Sequence, residues 1–264
     1  VEIPSRHLGL SLDEDFCFEE FADRVAELVE KHVNINRLLE LTKPVATAVV
    51  PISAGRHIYK REPSFPIAVA CDPAFNFVYE ANIRYLHHLG EVTYFSPLAD
   101  TSLPDAGFVY LPGGYPELYL AALSANRQML QSIRRYVESG GKLLAECGGM
   151  MYLCDEIRDK NGYVYPMAGV LHQSATMENM KLRLGYRTLL YNETRLKGHE
   201  FHYSRLVEQQ NPLPSCAVAY TAKGVETDTP LYHYKNVWAG YTHLYWADPV
   251  GNEWFTKFVI DGNI

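Results

Sequence analysis

Residues 140–153, which read GGKLLAECGGMMYL, decide the fold class of this chain. The apolar run at 143–145 has the length and the flanking glycines of a buried strand, and the apolar residues after Gly149 predict the start of a helix. Cys147 lies at the turn between them. In hydrolases, such strained strand-to-helix turns project a nucleophile close to backbone N–H groups. The stretch therefore indicates either a nucleophilic Cys147 or a buried structural cysteine.

Strands and helices alternate on the amino-terminal side of this turn. Strands are predicted at 67–70, 92–95 and 108–111, and helices at 82–89, 118–123 and 129–137. This alternation predicts an α/β fold with a mostly parallel central sheet and helices on both faces. Ligands bind at the carboxyl ends of the strands in open sheets of this kind. The turns after Leu111 and Ala145 should therefore open at the same edge.

The remaining segments frame this α/β region. Strands are predicted at 163–170, 182–190, 199–206, 216–221 and 237–241, and a last helix at 252–260. Residues 18–29 have helical spacing, and Asn34 is expected to cap a second short helix at 35–41. We therefore predict three parts: residues 1–42, a linker at 43–64 rich in proline, and a larger domain at 65–264.

Composition limits the function classes. The formal net charge of −7 gives no support for binding to nucleic acid or to an anionic membrane. The sequence has no apolar run near the roughly 20 residues that span a bilayer, and no signal-peptide pattern. Its five cysteines lack the spacing of a disulfide framework, so we expect reduced thiols and a cytoplasmic protein.

Paired glycines and a histidine complete the candidate chemistry. Gly113 and Gly114 follow the strand at 108–111, where free N–H groups would stabilise an oxyanion, although a Gly-Gly pair also occurs in ordinary loops. His243 follows the strand at 237–241, so it is the best-placed base for Cys147. The alternative is a structural histidine, which is the more common role for a lone His.

A second polar cluster, residues 199–203, reads HEFHY. Alternation along a strand places His199 on one face and Glu200 with His202 on the other, so a metal site is disfavoured. Contact with a large polar substrate and a structural hydrogen-bond network both stay open. Arg183, Arg187 and Arg205 are read as solvated surface residues, with carboxylate binding as the alternative.

Several motifs are absent from the sequence. It contains no G-x-x-x-x-G-K-[ST] phosphate loop, no G-x-G-x-x-G dinucleotide motif and no clustered zinc ligands.

Four motifs in order carry a family resemblance. They are PGGYPEL at 112–118, AECGGMMYL at 145–153, HEFHYS at 199–204 and YTHL at 241–244. Together they resemble the C-terminal class I glutamine amidotransferase domain of the cobyrinic acid a,c-diamide synthase family. This resemblance implies a flavodoxin-like fold. Residues 3–10 look like the end of that family's ATP-binding synthetase domain, so residues 1–42 are expected to be a remnant of it.

The resemblance implies a division of labour. The glutaminase domain hydrolyses glutamine, and ammonia passes to a synthetase domain, where ATP and Mg²⁺ activate the a and c carboxylates of a corrin or related tetrapyrrole in cobalamin biosynthesis. Cys147 would form the glutamyl thioester and His243 would raise its nucleophilicity. Backbone N–H groups at Gly113, Gly114 and Gly148 would form the oxyanion hole.

The sequence departs from the wider class at two points. Most class I amidotransferases have Glu two residues after the catalytic His, but this position is Tyr245, and the resemblance implies that the cobyrinic and cobyric branch shares the absence of this Glu. The third member of the triad is therefore missing or comes from elsewhere. The phosphate loop is also absent, so we expect a fragment with glutaminase chemistry at most. A homodimer stays open.

Rival interpretations remain at this point. The same chemistry would also serve Ni-sirohydrochlorin or hydrogenobyrinic acid. A Cys hydrolase of the same fold, and a regulatory domain with an inactive site, are less favoured.

Overall fold

The computed structural model describes residues 5–6, 9–10, 17–42 and 65–261. The chain divides into two compact units, Val1–His57 and Ile58–Ile264. The expected linker at 43–64 lies outside the described residues.

The first unit contains two short strands and two helices. They are β1 (Ser5–Arg6), β2 (Gly9–Leu10), α1 (Phe18–His32) and α2 (Ile35–Leu41). The Asn34 side chain accepts a hydrogen bond of 2.9 Å from the Arg37 N–H. The predicted N-cap of α2 is therefore confirmed, because this bond satisfies one of the free donors of the first turn.

The second unit opens with strands and helices in alternation. They are β3 (Pro66–Ala70), α3 (Glu80–Leu89), β4 (Glu91–Phe95), β5 (Phe108–Leu111), a 3-10 turn (Pro116–Leu118), α4 (Leu120–Ala125), α5 (Arg127–Glu138), β6 (Lys142–Glu146) and α6 (Gly148–Leu153).

Short strands then dominate until the last helix. They are β7 (Glu156–Arg158), β8 (Val164–Pro166), β9 (Ser174–Thr176), β10 (Arg183–Tyr191), β11 (Thr194–His202), β12 (Arg205–Leu206), β13 (Val218–Thr221), β14 (Glu226–Thr227), β15 (Leu231–Tyr234), β16 (Val237–Gly240) and β17 (His243–Leu244), before α7 (Pro249–Thr256) and a π-helical turn (Lys257–Asp261).

The central sheet has the order β15-β16-β6-β5-β3-β4. All its neighbours pair in parallel except β15 and β16, which are antiparallel. Numbered along the chain, the five parallel strands have the order 2-1-3-4-5, which is that of flavodoxin-like sheets. The predicted fold class is confirmed.

Alternate residues of the central strands pack on its two faces. Ala68, Val109 and Leu143 belong to one hydrophobic cluster, which includes buried residues of α4, α5 and α6. Ile67 and Phe108 belong to the other cluster, with residues of α3, α7 and the antiparallel strands. The second face is thus covered by two helices and by part of a five-stranded antiparallel sheet, β14-β13-β10-β11-β17.

Some strand boundaries differ from the sequence prediction. Only Val164–Pro166 of the predicted strand at 163–170 is a strand. The strand predicted at 199–206 begins earlier, at Thr194, and is interrupted after His202. The short strands β7, β9, β14 and β15 were not predicted, because two to four residues give too little periodicity to detect.

Three strand ends coincide in the central sheet. Leu111 pairs with Ala145, and Gly240 pairs with Glu146, so β5, β6 and β16 end side by side. The turns that follow β5 and β6 carry Gly113 and Cys147, and His243 lies three residues beyond the end of β16, at the start of β17. Parallel pairing therefore brings residues that are far apart in sequence to one sheet edge. Among the described helices, none combines the length and the apolar composition needed to cross a membrane.

Candidate active site

Cys147 joins β6 directly to α6. Its backbone has φ 48° and ψ −106°, a left-handed conformation that is unusual for a residue with a side chain. The Cys147 N–H donates to the Gly240 carbonyl at 2.8 Å, and the Met151 N–H donates to the Cys147 carbonyl at 3.0 Å. These bonds hold a strained turn of the kind that projects a nucleophile.

Beside Cys147, the glycine pair 113–114 packs against the glycine pair 148–149. A Cβ on Gly149 would lie 2.1 Å from the Leu111 carbonyl oxygen, so only glycine lets α6 start this close to the end of β5. A Cβ on Gly148 would lie 3.3 Å from the Gly114 nitrogen. The backbone of the 113–114 turn therefore borders the first residue of α6.

The Cys147 thiol is buried and protonated at rest. Burial raises its pKa, and the nearby carboxyl of Glu117 raises it further, whereas a hydrogen bond from the Gly148 N–H lowers it. Burial also raises the pKa of Glu117 to about 7. A thiol in these surroundings needs a base to become a thiolate.

His243 is buried against the Gly113 turn. A Cβ on Gly113 would lie 2.1 Å from the His243 Cε1 atom, so the ring occupies the space that a side chain at 113 would need. Phe77 lies on the ring at a centroid distance of 4.5 Å, and His199 stacks on it at 5.0 Å. Burial, together with the nearby His199 and His202, lowers the pKa of His243 to about 3, so the imidazole is neutral.

His199 lies beside His243 in an aromatic layer. The two histidines are directly opposite each other in the antiparallel pair of strands β11 and β17. The Tyr79 hydroxyl hydrogen bonds with the His199 Nδ1 atom, and the Tyr79 ring makes an edge contact with exposed Tyr245. Phe77 and Tyr79 had no signal in the sequence, because more than 100 residues separate them from the histidines they contact.

Glu200 and His202 lie on the opposite face of β11, within a buried polar network. The Arg187 guanidinium approaches Glu200 to 2.9 Å, and the Thr242 hydroxyl donates to Glu200 at 3.2 Å. The His202 ring stacks on Tyr241 at 3.8 Å. The solvated reading of Arg187 is wrong, because its side chain is only 9% exposed and paired. This network touches both residues that precede His243.

Glu146, immediately before the cysteine, was not identified as a site residue from the sequence. Its carboxylate accepts hydrogen bonds from the Tyr110 hydroxyl at 2.7 Å and from the Leu244 N–H at 3.1 Å. Its Oε2 atom lies 3.9 Å from the His243 Nδ1 atom. A charged residue at the end of an otherwise apolar buried strand is the signal that would have found it.

ATP and Mg²⁺, which the resemblance implies for the family, do not fit the described residues. No three of their His, Cys, Asp and Glu side chains form a group able to hold a metal ion. The sequence also lacks a phosphate loop.

Known proteins resemble this chain over most of its length. The chain is 36% identical over 257 residues to a hydrogenobyrinate a,c-diamide synthase of Stutzerimonas stutzeri, which covers 95% of the chain and 56% of the relative. It is 35% identical to a cobyrinate a,c-diamide synthase of Clostridium acetobutylicum, over 98% of the chain and 59% of the relative. The chain thus spans a little over half the length of these curated relatives.

A solved glutamine amidotransferase is 17% identical, with a TM-score of 0.49 over 73% of this chain and 98% of its own. Residues 66–250 match the family described as the CobB/CobQ-like glutamine amidotransferase domain. This match covers more than half of the chain and includes Gly113, Cys147 and His243. The chain therefore belongs to the CobB/CobQ-like glutamine amidotransferase domain family.

Proposed function

We propose that this chain is the glutamine-hydrolysing part of an a,c-diamide synthase, with Cys147 as nucleophile and His243 as base. The observation that carries the proposal is the shared border at the 113–114 turn. Gly113 contacts the His243 ring, and Gly114 borders the residue after Cys147. A strained cysteine and a neutral imidazole thus both border one turn, at the sheet edge where ligands bind in folds of this kind.

Glutamine hydrolysis would proceed in two steps at this site. His243 takes the thiol proton, and the Cys147 sulfur attacks the side-chain amide carbon of glutamine. The proton then passes from His243 to the leaving nitrogen, which departs as ammonia and leaves a glutamyl thioester. Water, deprotonated by His243, cleaves the thioester to give glutamate and restores the thiol.

The backbone N–H groups of Gly114 and Gly148 would stabilise the oxyanion of both tetrahedral intermediates. The Gly148 N–H already hydrogen bonds to the Cys147 sulfur. Backbone donors need no reorganisation during the reaction, and one such donor contributes about 10²–10³-fold in rate. Gly113, which has no side chain, would leave room for the His243 ring.

The ammonia would be used by the complete protein to amidate the a and c carboxylates of a tetrapyrrole. The names of the relatives favour cobyrinate or hydrogenobyrinate, and Ni-sirohydrochlorin is the alternative. ATP and Mg²⁺ would serve this second reaction in a synthetase part, of which residues 1–42 are the proposed end. Residues 65–264 are the proposed amidotransferase domain.

The other predicted site residues take supporting roles in this proposal. His199 packs on the His243 ring, and Glu200 with His202 holds the residues before it. We assign none of them to substrate contact. All five cysteines are unpaired, which fits the reducing cytoplasm as the proposed location.

The test compares glutamine with free ammonia as the nitrogen source. In the complete protein with ATP, Cys147→Ser should abolish glutamine-dependent amidation of cobyrinate or hydrogenobyrinate and keep the ammonia-dependent rate. Cys154→Ser is the matched control, because Cys154 is also buried but lies at the far end of α6. The assignment would be contradicted if Cys147→Ser lost the ammonia-dependent rate. It would also be contradicted if Cys154→Ser lost as much of the glutamine-dependent rate as Cys147→Ser does.

A further inference from the structure

We infer that the carboxylate of Glu146 positions the His243 imidazole through its Nδ1 atom, and so fills the role of the third member of the catalytic group. The inference rests on the proposed glutaminase activity. In the sequence this role had no candidate, because Tyr245 occupies the position where related enzymes have Glu.

The first observation is an unsatisfied atom. The His243 Nδ1 is fully buried and has no hydrogen-bond partner, and Glu146 is the acid whose oxygen lies 3.9 Å from it. A buried donor without an acceptor costs about 1–3 kcal/mol. A movement of about 1 Å would turn this approach into a hydrogen bond, and catalytic hydrogen bonds are often this loose before substrate binds.

The second observation is the way in which Glu146 is held. Its two oxygens accept bonds from the Tyr110 hydroxyl and the Leu244 N–H, and both donors favour the ionised carboxylate. Leu244 directly follows His243, so the same carboxylate contacts the backbone of β17 and faces the imidazole. This arrangement fixes Glu146 against the element that carries the base.

Tyr245 does not offer an alternative partner. The residue is 38% exposed, and its ring makes an edge contact with Tyr79 at a centroid distance of 5.6 Å. It has no carboxylate to stabilise a positive imidazolium. Glu146, by contrast, is 2% exposed and precedes Cys147 in the chain, so one strand end supplies both the nucleophile and the partner of its base.

The proton balance follows from the tautomer. When Nδ1 carries a hydrogen and donates it to Glu146, Nε2 has a free lone pair that takes the proton from the Cys147 sulfur. The imidazolium then faces an ionised carboxylate, which stabilises the charge but does not take the proton. The same proton leaves Nε2 for the departing ammonia, and the tautomer is restored.

The charge state of Glu146 gives the inference a pH signature. Burial outweighs the opposing effect of the bonds from Tyr110 and Leu244 and raises the pKa of Glu146 to about 8. The titratable groups that face it are Tyr79, Tyr110, Cys147 and His243. The ionised, positioning form therefore becomes more populated as the pH rises toward and beyond 8.

The test measures the reactivity of Cys147 against pH in the complete protein. The probe is 6-diazo-5-oxonorleucine, a glutamine analogue that alkylates the nucleophile, and glutaminase kcat and KM are measured alongside. In the wild type, the alkylation rate should rise with an ionisation near pH 8. Glu146→Gln should remove that ionisation and lower kcat by about 10²–10⁴-fold, as neutralising the acid of a triad does, with a smaller change in KM.

Tyr110→Phe is the matched variant, because it removes one bond to the carboxylate and keeps the charge. In Tyr110→Phe, the alkylation rate should still rise with the ionisation of Glu146, but at higher pH than in the wild type. The loss of kcat should be less than tenfold. This shift tests the inference even if Glu146→Gln does not fold.

The outcomes separate the two claims. A wild type that neither hydrolyses glutamine nor is labelled at Cys147 would refute the proposed function. A wild type that is active, with Glu146→Gln keeping the same pH profile, would overturn only the role of Glu146. An unshifted profile in Tyr110→Phe would count against that role as well.

Discussion

Gly113→Ala is the most direct test of where His243 lies. The new Cβ would come 2.1 Å from the His243 Cε1 atom, whereas ordinary contacts begin at 3.4 Å, so the ring must move by about 1.3 Å. Phe77 and His199 pack on the ring, and the Gly113 carbonyl is held by the Phe77 N–H at 3.0 Å. Neither side of the contact has free space in which to adjust.

The magnitude follows from that displacement. A misplacement of about 1 Å at a reacting group costs about 10²-fold in rate, equivalent to about 2.7 kcal/mol of activation free energy. We therefore expect glutaminase kcat/KM to fall about 10²-fold. Overpacking should also lower the free energy of unfolding by about 1–3 kcal/mol.

Gly107→Ala is the matched control. It lies just before β5, at the opposite end from Gly113, and its Cβ would lie 2.6 Å from the Phe65 ring. It should show a similar loss of stability in urea unfolding, with kcat/KM unchanged. If folded Gly113→Ala keeps kcat/KM within about twofold of the wild type, His243 does not act from this position and the reasoning is refuted.

Two further predictions concern stability. Arg187→Met should lower the free energy of unfolding by about 3–5 kcal/mol, because it leaves the buried Glu200 carboxylate without its nearest cation, whereas Arg183→Met, which breaks an exposed pair, should cost less than about 1 kcal/mol. Equal costs in urea unfolding would show that the Arg187 pair is not buried in solution. Burial raises the pKa of Glu146 to about 8, above its unfolded value, so the folded state keeps a proton that the unfolded state has lost. Stability should therefore fall as pH rises from about 6.5 to 8, by up to about 1.4 kcal/mol per pH unit, and Glu146→Gln should flatten this slope; an identical slope in the variant would contradict it.

The sequence determined the fold class because its evidence is local. The run at 143–145 between glycines, and the alternation of apolar strands with amphipathic helices before it, follow from side-chain periodicity within each segment. Parallel strands then end at a common edge, so the turns at Gly113 and Cys147 were predicted as neighbours. The position of His243 after a strand also followed from its own segment, although its catalytic role stays a proposal.

The tertiary structure decided what surrounds these residues. Phe77, Tyr79 and Tyr110 reach the site from segments whose own patterns carry no mark of it, because contacts between distant strands depend on sheet order and register. Arg187 looked like a surface residue until the antiparallel sheet buried it beside Glu200. Within residues 140–153, the sequence placed Cys147 at a turn. Only packing placed Glu146, one residue before it, against the imidazole of a histidine nearly 100 residues away.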